Sequence, residues 1–370
     1  MSQEPYGDIP LFRELQKLLS SSQGSVNTEL ARQIARSIAV DGSLEAPLDQ
    51  GISDAYGRAV IDAQQVLTGY TRLFAGELAT ADAVTRMGWV DRTIDGWMWL
   101  FDAFSERFGK VMSDHGSETP SGVEAVLGQI APLMMGFQVG TLLGHLAREV
   151  LFRNELPVPR RDEGHLFIVA PNVTSIANDY GLDRVDLISW LALRDTARHI
   201  VLAAHPWVDS YFRSALGEII GSIEIDLSDI ERRVIEMQAG DLSALQEMQQ
   251  SLPILETPRH RAALERLRAF FAVFEGYASL ASRAVAAELV TTASKIDEGV
   301  TRFNTEPLSG RETLGTVLGI SLDRATTEAG ETFCKAVVSL RGIDALNTVW
   351  SAADNLPSGA EIKDPFSWME

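Results

Sequence analysis

Apolar residues recur at intervals of three and four along most of this chain, the spacing that turns one face of an α-helix toward a core. The clearest run covers residues 181–209. There Leu187, Trp190, Leu191, Leu193, Ala197, Ile200, Val201 and Ala204 share a face, and Pro206 ends the element. Upstream, Asp8 and Pro10 mark a helix start whose stripe is Phe12, Leu15, Leu18 and Leu19, and Asn27 caps a helix carrying Leu30, Ile34, Ile38 and Ala39. An Ala-rich helical pattern covers 52–78. A second, opening at Thr80, carries Trp89, Trp97, Trp99, Phe101, Phe104 and Phe108 at helical spacing, which predicts core packing rather than base stacking. Beyond Pro206 the pattern predicts a helix through Ile220, segments opening at Ser228 and Ser243, and one or two long helices over 259–295.

One stretch breaks this rhythm. Residues 165–170, HLFIVA, are short, rich in Phe, Ile and Val, and closed by Pro171-Asn172, which predicts a strand. The fold class is therefore mainly α with a small β element around 165–170. Residues 154–163, NELPVPRRDE, read as a linker between an N-terminal helical region, 1–153, and a second region, 164–370, unless the two form one continuous domain.

Charge and composition narrow the function. With 370 residues, 45% of them hydrophobic, the chain can bury a large core. The 32 basic against 51 acidic residues give a net charge of −19, so the average surface repels phosphate backbones, and nucleic acid is not an expected partner. The single cysteine, Cys334, has helix-interior flanks and reads as a buried thiol in a reducing compartment. The N-terminus lacks a basic region leading into an apolar run, so a cytoplasmic location is expected. Residues 125–146 carry no charged side chain. Gln129, Pro132, Gln138 and His145, with small residues at Gly136, Gly140 and Gly144, favour a buried central helix over a membrane span.

Two His four residues apart on a helix, with Glu beside the first, form a zinc site in which the Glu activates metal-bound water. Here those positions are Arg194, Asp195 and Arg198. The segment 193–202 resembles the metal-binding helix of the zincin-like metallopeptidase type 2 family. These are bacterial zinc-dependent proteases or hydrolases, some associated with deazaflavin cofactor biosynthesis. The resemblance extends to 8–12, 27–35, the helix around Gly136, 167–173, 274–277 and 346–365. It implies a zincin-like helical fold, a substrate-binding role for the 165–170 strand, and a metal ligand set that also draws on Glu275 and a His five residues later, which here is Leu280.

The chemistry departs from that pattern. Arginine carries donors only and stays cationic, so Arg194 and Arg198 repel a dication, and Asp195 is one methylene shorter than the general base it replaces. No zinc or other cofactor is expected. An ion pair between Arg194 or Arg198 and Glu275 would take the place of the metal bridge, since a lone buried charge is strongly destabilising. The leading expectation is a pseudoenzyme that binds or scaffolds an unknown protein or peptide partner. The alternatives are a hydrolase with a displaced site, using Asp195, His199 and Glu275, and a structural partner of an active family member. His199 and His205 read as ordinary surface or core histidines, and His115 and His260 as loop residues without partners.

Overall fold

Asn27 caps the first described helix by accepting a hydrogen bond from Leu30 N (2.9 Å), the N-cap expected from the sequence. The computed structural model describes residues 26–113, 122–156, 158–160, 164–224, 229, 232, 236, 255, 257–305, 309–318 and 324–370. The helix start at Asp8, the segment opening at Ser243, most of that opening at Ser228, and His115 lie outside them.

The element order is α1 (Thr28–Ala39), α2 (Gln50–Thr71), β1 (Ala81–Val84), α3 (Arg86–Ser113), α4 (Gly122–Glu149), β2 (Leu166–Val169), α5 (Ala170–Asp179), α6 (Arg184–Ala204), α7 (Trp207–Gly221), α8 (Pro258–Leu289), α9 (Ala293–Thr305), α10 (Ser309–Leu318) and α11 (Arg324–Arg341), followed by short helices to Met369. The fold is mainly α, as expected, and the long 259–295 pattern resolves into α8 and α9. Pro206 follows α6 at the expected place. No helix among the described residues is long and apolar enough to cross a membrane.

Glycines set the closest helix contacts. On α4 a Cβ at Gly136 or Gly140 would stand 2.6 Å from the carbonyl oxygens of Asn27 and Ala31, and one at Gly144 would stand 2.6 Å from Ile38 Cβ. The small-residue stripe therefore admits α1 against α4, and Leu143, Leu146 and Ala147 are buried beside it. At Gly276 and Gly330 the backbones of α8 and α11 meet in the same way.

The strand expected at 165–170 is β2, and its four residues are all buried. Its partner was not anticipated. Residues 81–84 read as the opening turn of a helix, yet they form β1, paired in parallel with β2 in the register Ala81↔Leu166 to Val84↔Val169. The helix begins only after Thr85, whose hydroxyl accepts from Gly88 N (3.0 Å). Tertiary pairing outweighs helix propensity here because β2 is buried and its backbone N–H and C=O groups are met by an extended neighbour, which a helix could not supply. On its other side β2 meets Phe152 in an antiparallel bridge, and Val169 N donates to Leu151 O (2.9 Å). With both edges engaged, β2 is not the substrate-binding edge that the resemblance implied.

The described part of the segment read as a linker packs inward. Leu156, Val158 and Arg160 are buried, and the indole nitrogens of Trp97 and Trp99 donate to the carbonyls of Val158 and Pro159 (3.2 Å each). Trp89, Trp97 and Phe101 of the aromatic run on α3 thus serve the core, and Trp97 and Trp99 pin this segment.

Candidate functional site: a buried ion pair beneath an arginine-lined cleft

Asp183 caps α6 by accepting from Val185 N and Asp186 N (2.9 Å each), and Thr257 with Pro258 starts α8. These caps fix two helices whose packed faces carry the residues singled out above. Arg198, from α6, and Glu275, from α8, are both buried and form a two-pronged ion pair. Arg198 Nε donates to Glu275 Oε1 (2.8 Å) and Nη2 to Oε2. The third prong, Nη1, donates to Arg194 O (2.6 Å), and the guanidinium lies over the Phe152 ring at 5.2 Å. Burial works to lower the Arg198 pKa, but the Glu275 carboxylate outweighs it, so the net shift is upward and the cation is secure. The ion pair expected between an arginine of α6 and Glu275 is thus present, through Arg198.

Arg194 points elsewhere. Its guanidinium lies over the Trp190 ring at 5.4 Å, and burial, reinforced by the neighbouring Arg198 charge, pushes its pKa down to about 10. Leu280 is buried in the hydrophobic core.

Asp195 is fully buried and held from two sides. Tyr56 Oη donates to Oδ2 (2.8 Å), while Asn154 N (3.1 Å) and Nδ2 (2.7 Å) both donate to Oδ1. Burial raises its pKa against these hydrogen bonds and the Arg153 charge. Burial beside the Asp195 charge raises that of Tyr56 well above its ordinary value. Both carboxylate oxygens are engaged, and the group is shut off from solvent. In this arrangement Asp195 binds its own chain rather than a water or a substrate.

His199 and Glu275 reach the wall of a cleft of about 820 Å³. The same cleft is lined by Arg153, Arg160 and Arg213, by Asp209, and by Phe212, Phe271 and Phe274. Burial, with the Arg153 charge adding to it, pushes the His199 pKa from 6.5 down to about 4, so the ring is neutral at neutral pH. The unfolded chain takes up this proton near pH 6.5 and the folded chain does not until about pH 4, so stability falls as pH drops through that interval. His199→Gln is expected to flatten this part of the profile. Urea midpoints of both proteins at about pH 7 and about pH 5 measure it; an equal loss in both would refute the assignment.

The other histidines divide. His205 caps the end of α6, and its backbone N–H donates to Val201 O (3.0 Å). His260, read as a loop residue without a partner, is buried in the first turn of α8, with Nδ1 2.9 Å from Ser222 Oγ. The Ser222 turn that follows α7 comes beside it only in three dimensions. Cys334 is buried in α11, and burial raises its pKa far from the reactive range.

Zinc does not fit this donor set. The two helix positions that would face it carry guanidinium groups, Glu275 has both oxygens on Arg198, and Asp195 has both on Tyr56 and Asn154. Among the described residues no group of three or more His, Cys, Asp or Glu side chains is placed to hold a metal ion. Sequence reasoning missed Tyr56 and Asn154. Arg153 and Arg160 were not singled out either, since nothing in one dimension showed that the segment around the two prolines lines a cleft.

A zincin-like metallopeptidase family model matches residues 26–369, and the chain belongs to that family. It is also similar to a crystal structure from Chloroflexus aurantiacus, described as a candidate hydrolase with a novel fold. The two share 23% identity with a TM-score of 0.70, over 93% of this chain and 97% of that one. At that identity the likeness shows a shared fold. No curated protein matches the sequence significantly.

Proposed function

We propose that this protein is a non-catalytic member of the zincin-like family, a binding or scaffolding protein whose buried Arg198–Glu275 ion pair ties α6 to α8 in place of a metal bridge. The observation that carries this reading is the two-pronged pairing itself, since it consumes the Glu275 carboxylate and puts a permanent cation at a ligand position. The seclusion of Asp195 supports it, because a general base must reach the proton it removes. A protein or peptide partner and a cytoplasmic location belong to the same proposal. A second reading, a hydrolase with a non-standard site, draws on one observation: a neutral His199 and Glu275 share the cleft wall.

Metal analysis of protein purified without chelator, combined with a peptidase assay, separates the two. The expected result is metal well below one ion per chain and no chelator-sensitive cleavage. Stoichiometric zinc with cleavage abolished by chelator would overturn the proposal.

A further inference from the structure

α1 buries its small side chains more completely than its large ones. Ala31, Ala35 and Ala39 are buried, while Leu30, Ile34 and Ile38, the stripe expected from the sequence, stay partly exposed. Ile34 and Ile38 lie against Gly140 and Gly144 of α4, which sets this stripe along the seam between the two helices. On α4 the flanking positions are Met134, Phe137 and Thr141, spaced by three and four residues, with Met134 57% and Phe137 58% exposed. The opposite side of the seam belongs to α3, where Arg32 and Arg36 pair with Asp91. What is left is an apolar groove about as long as α1, and its α4 wall carries no charged residue over 125–146.

The chain that precedes α1 enters beside this groove. Asn27 N donates to Pro132 O (2.9 Å), about one turn ahead of Gly136, so residue 26 and those before it arrive next to Met134 and Phe137. Their sequence has the pattern that such a groove accepts. Helical spacing over 8–19 puts Phe12, Leu15, Leu18 and Leu19 on one face and Arg13, Glu14 and Lys17 on the other. A helix over 8–19 would be about 18 Å long, which matches the 12 residues of α1. Between them residues 20–25, SSSQGS, have the Ser and Gly content of a chain reversal.

We propose that residues 8–19 dock as an amphipathic helix in the α1–α4 groove, folding back antiparallel to α1 across the 20–25 link and covering Ile34, Met134 and Phe137 with Leu15 and Leu18. Removing these side chains from water supplies the gain. The short link keeps the segment at an effective concentration on the order of millimolar, so it outcompetes a second copy of the chain in dilute solution.

The chain's only cysteine, Cys334, is buried, so an engineered pair of thiols reports without interference. Full-length Leu18→Cys/Phe137→Cys, treated with a short bismaleimide, is expected to give a bridged single chain whose yield does not depend on protein concentration. Leu18→Cys/Leu340→Cys, whose second thiol is exposed on α11, should stay unbridged. A two-chain product from the Phe137 pair that grows with concentration would overturn the proposal, because it assigns the groove to a second copy. Equal bridging in the two pairs, none included, would also overturn it, since the segment would then have no fixed seat. Hydrogen exchange provides a readout without cysteine variants. Amides of 10–19 should be protected in the wild-type chain, and Phe137→Asp, which changes a largely exposed side chain, should speed their exchange about tenfold or more. Exchange of these amides at the unprotected rate in the wild type, or at a rate that Phe137→Asp leaves unchanged, would refute the docking.

Discussion

Arg198→Met is expected to lower the free energy of unfolding by about 3–5 kcal/mol, because it leaves the Glu275 carboxylate buried without its cation. Glu275 is 6% exposed and Arg198 2%, so water cannot replace the lost partner at either end. Methionine keeps much of the apolar stem, so the loss reports the guanidinium, with its ion pair and its place over Phe152, more than the packing of the stem. Glu275→Leu alone should cost a similar amount, since it strands the cation. The double variant Arg198→Met/Glu275→Leu should recover most of the loss, because two apolar groups of similar bulk need no mutual neutralisation. Urea unfolding of the four proteins closes the cycle. An exposed pair such as Arg302–Glu298 provides the contrast, with an expected effect below about 1 kcal/mol. If Arg198→Met cost no more than that, or if the double variant were as unstable as the sum of the singles, the ion pair would not be the tie between α6 and α8.

Gly330→Ala is the second severe substitution. A Cβ there would sit 1.7 Å from Ala272 O and 2.4 Å from Ala272 C, a backbone overlap that no side-chain rotation relieves. Gly276→Ala meets the reverse face of the same crossing, 2.2 Å from Gly330 C. Either change forces α8 and α11 apart along the surface where Ser279 donates to Glu331 (2.8 Å) and where Phe333 and Cys334 are buried. A loss above about 4 kcal/mol is expected, a large part of the stability of an ordinary domain. Gly217→Ala is the control. It lies inside α7 with nothing within 4 Å of its added Cβ, and alanine there should stabilise by up to about 1 kcal/mol. Thermal melts of the three proteins decide the matter, and a Gly330→Ala chain that melts with the wild type would refute the close crossing.

Much of the helical framework was legible because its signals are local. Asn27 caps α1, Pro206 follows α6, and the apolar face of the 181–209 run is buried as its spacing required. The stripe Gly136, Gly140, Gly144 announced a close helix contact, although only the structure showed that α1 fills it. Residues 81–84 misled because a four-residue strand has no pattern of its own. Its conformation comes from β2, which lies more than eighty residues away in the register Ala81↔Leu166. His260 misled for the same reason, since its partner Ser222 is distant in sequence.

The sequence by itself determined the helical class, the arginines at positions 194 and 198, and with them the loss of lone pairs where a zinc-binding helix presents histidine. Those are properties of residue type and spacing, and no packing can make a guanidinium a metal ligand. Only the tertiary structure decided which arginine meets Glu275, that Asp195 is sealed by Tyr56 and Asn154, and that Arg153, Arg160 and Arg213 converge on one cleft. Each of those outcomes joins residues far apart along the chain, and the hydrophobic burial that brings them together is non-directional. Their meeting therefore depends on how the helices pack rather than on any local signal.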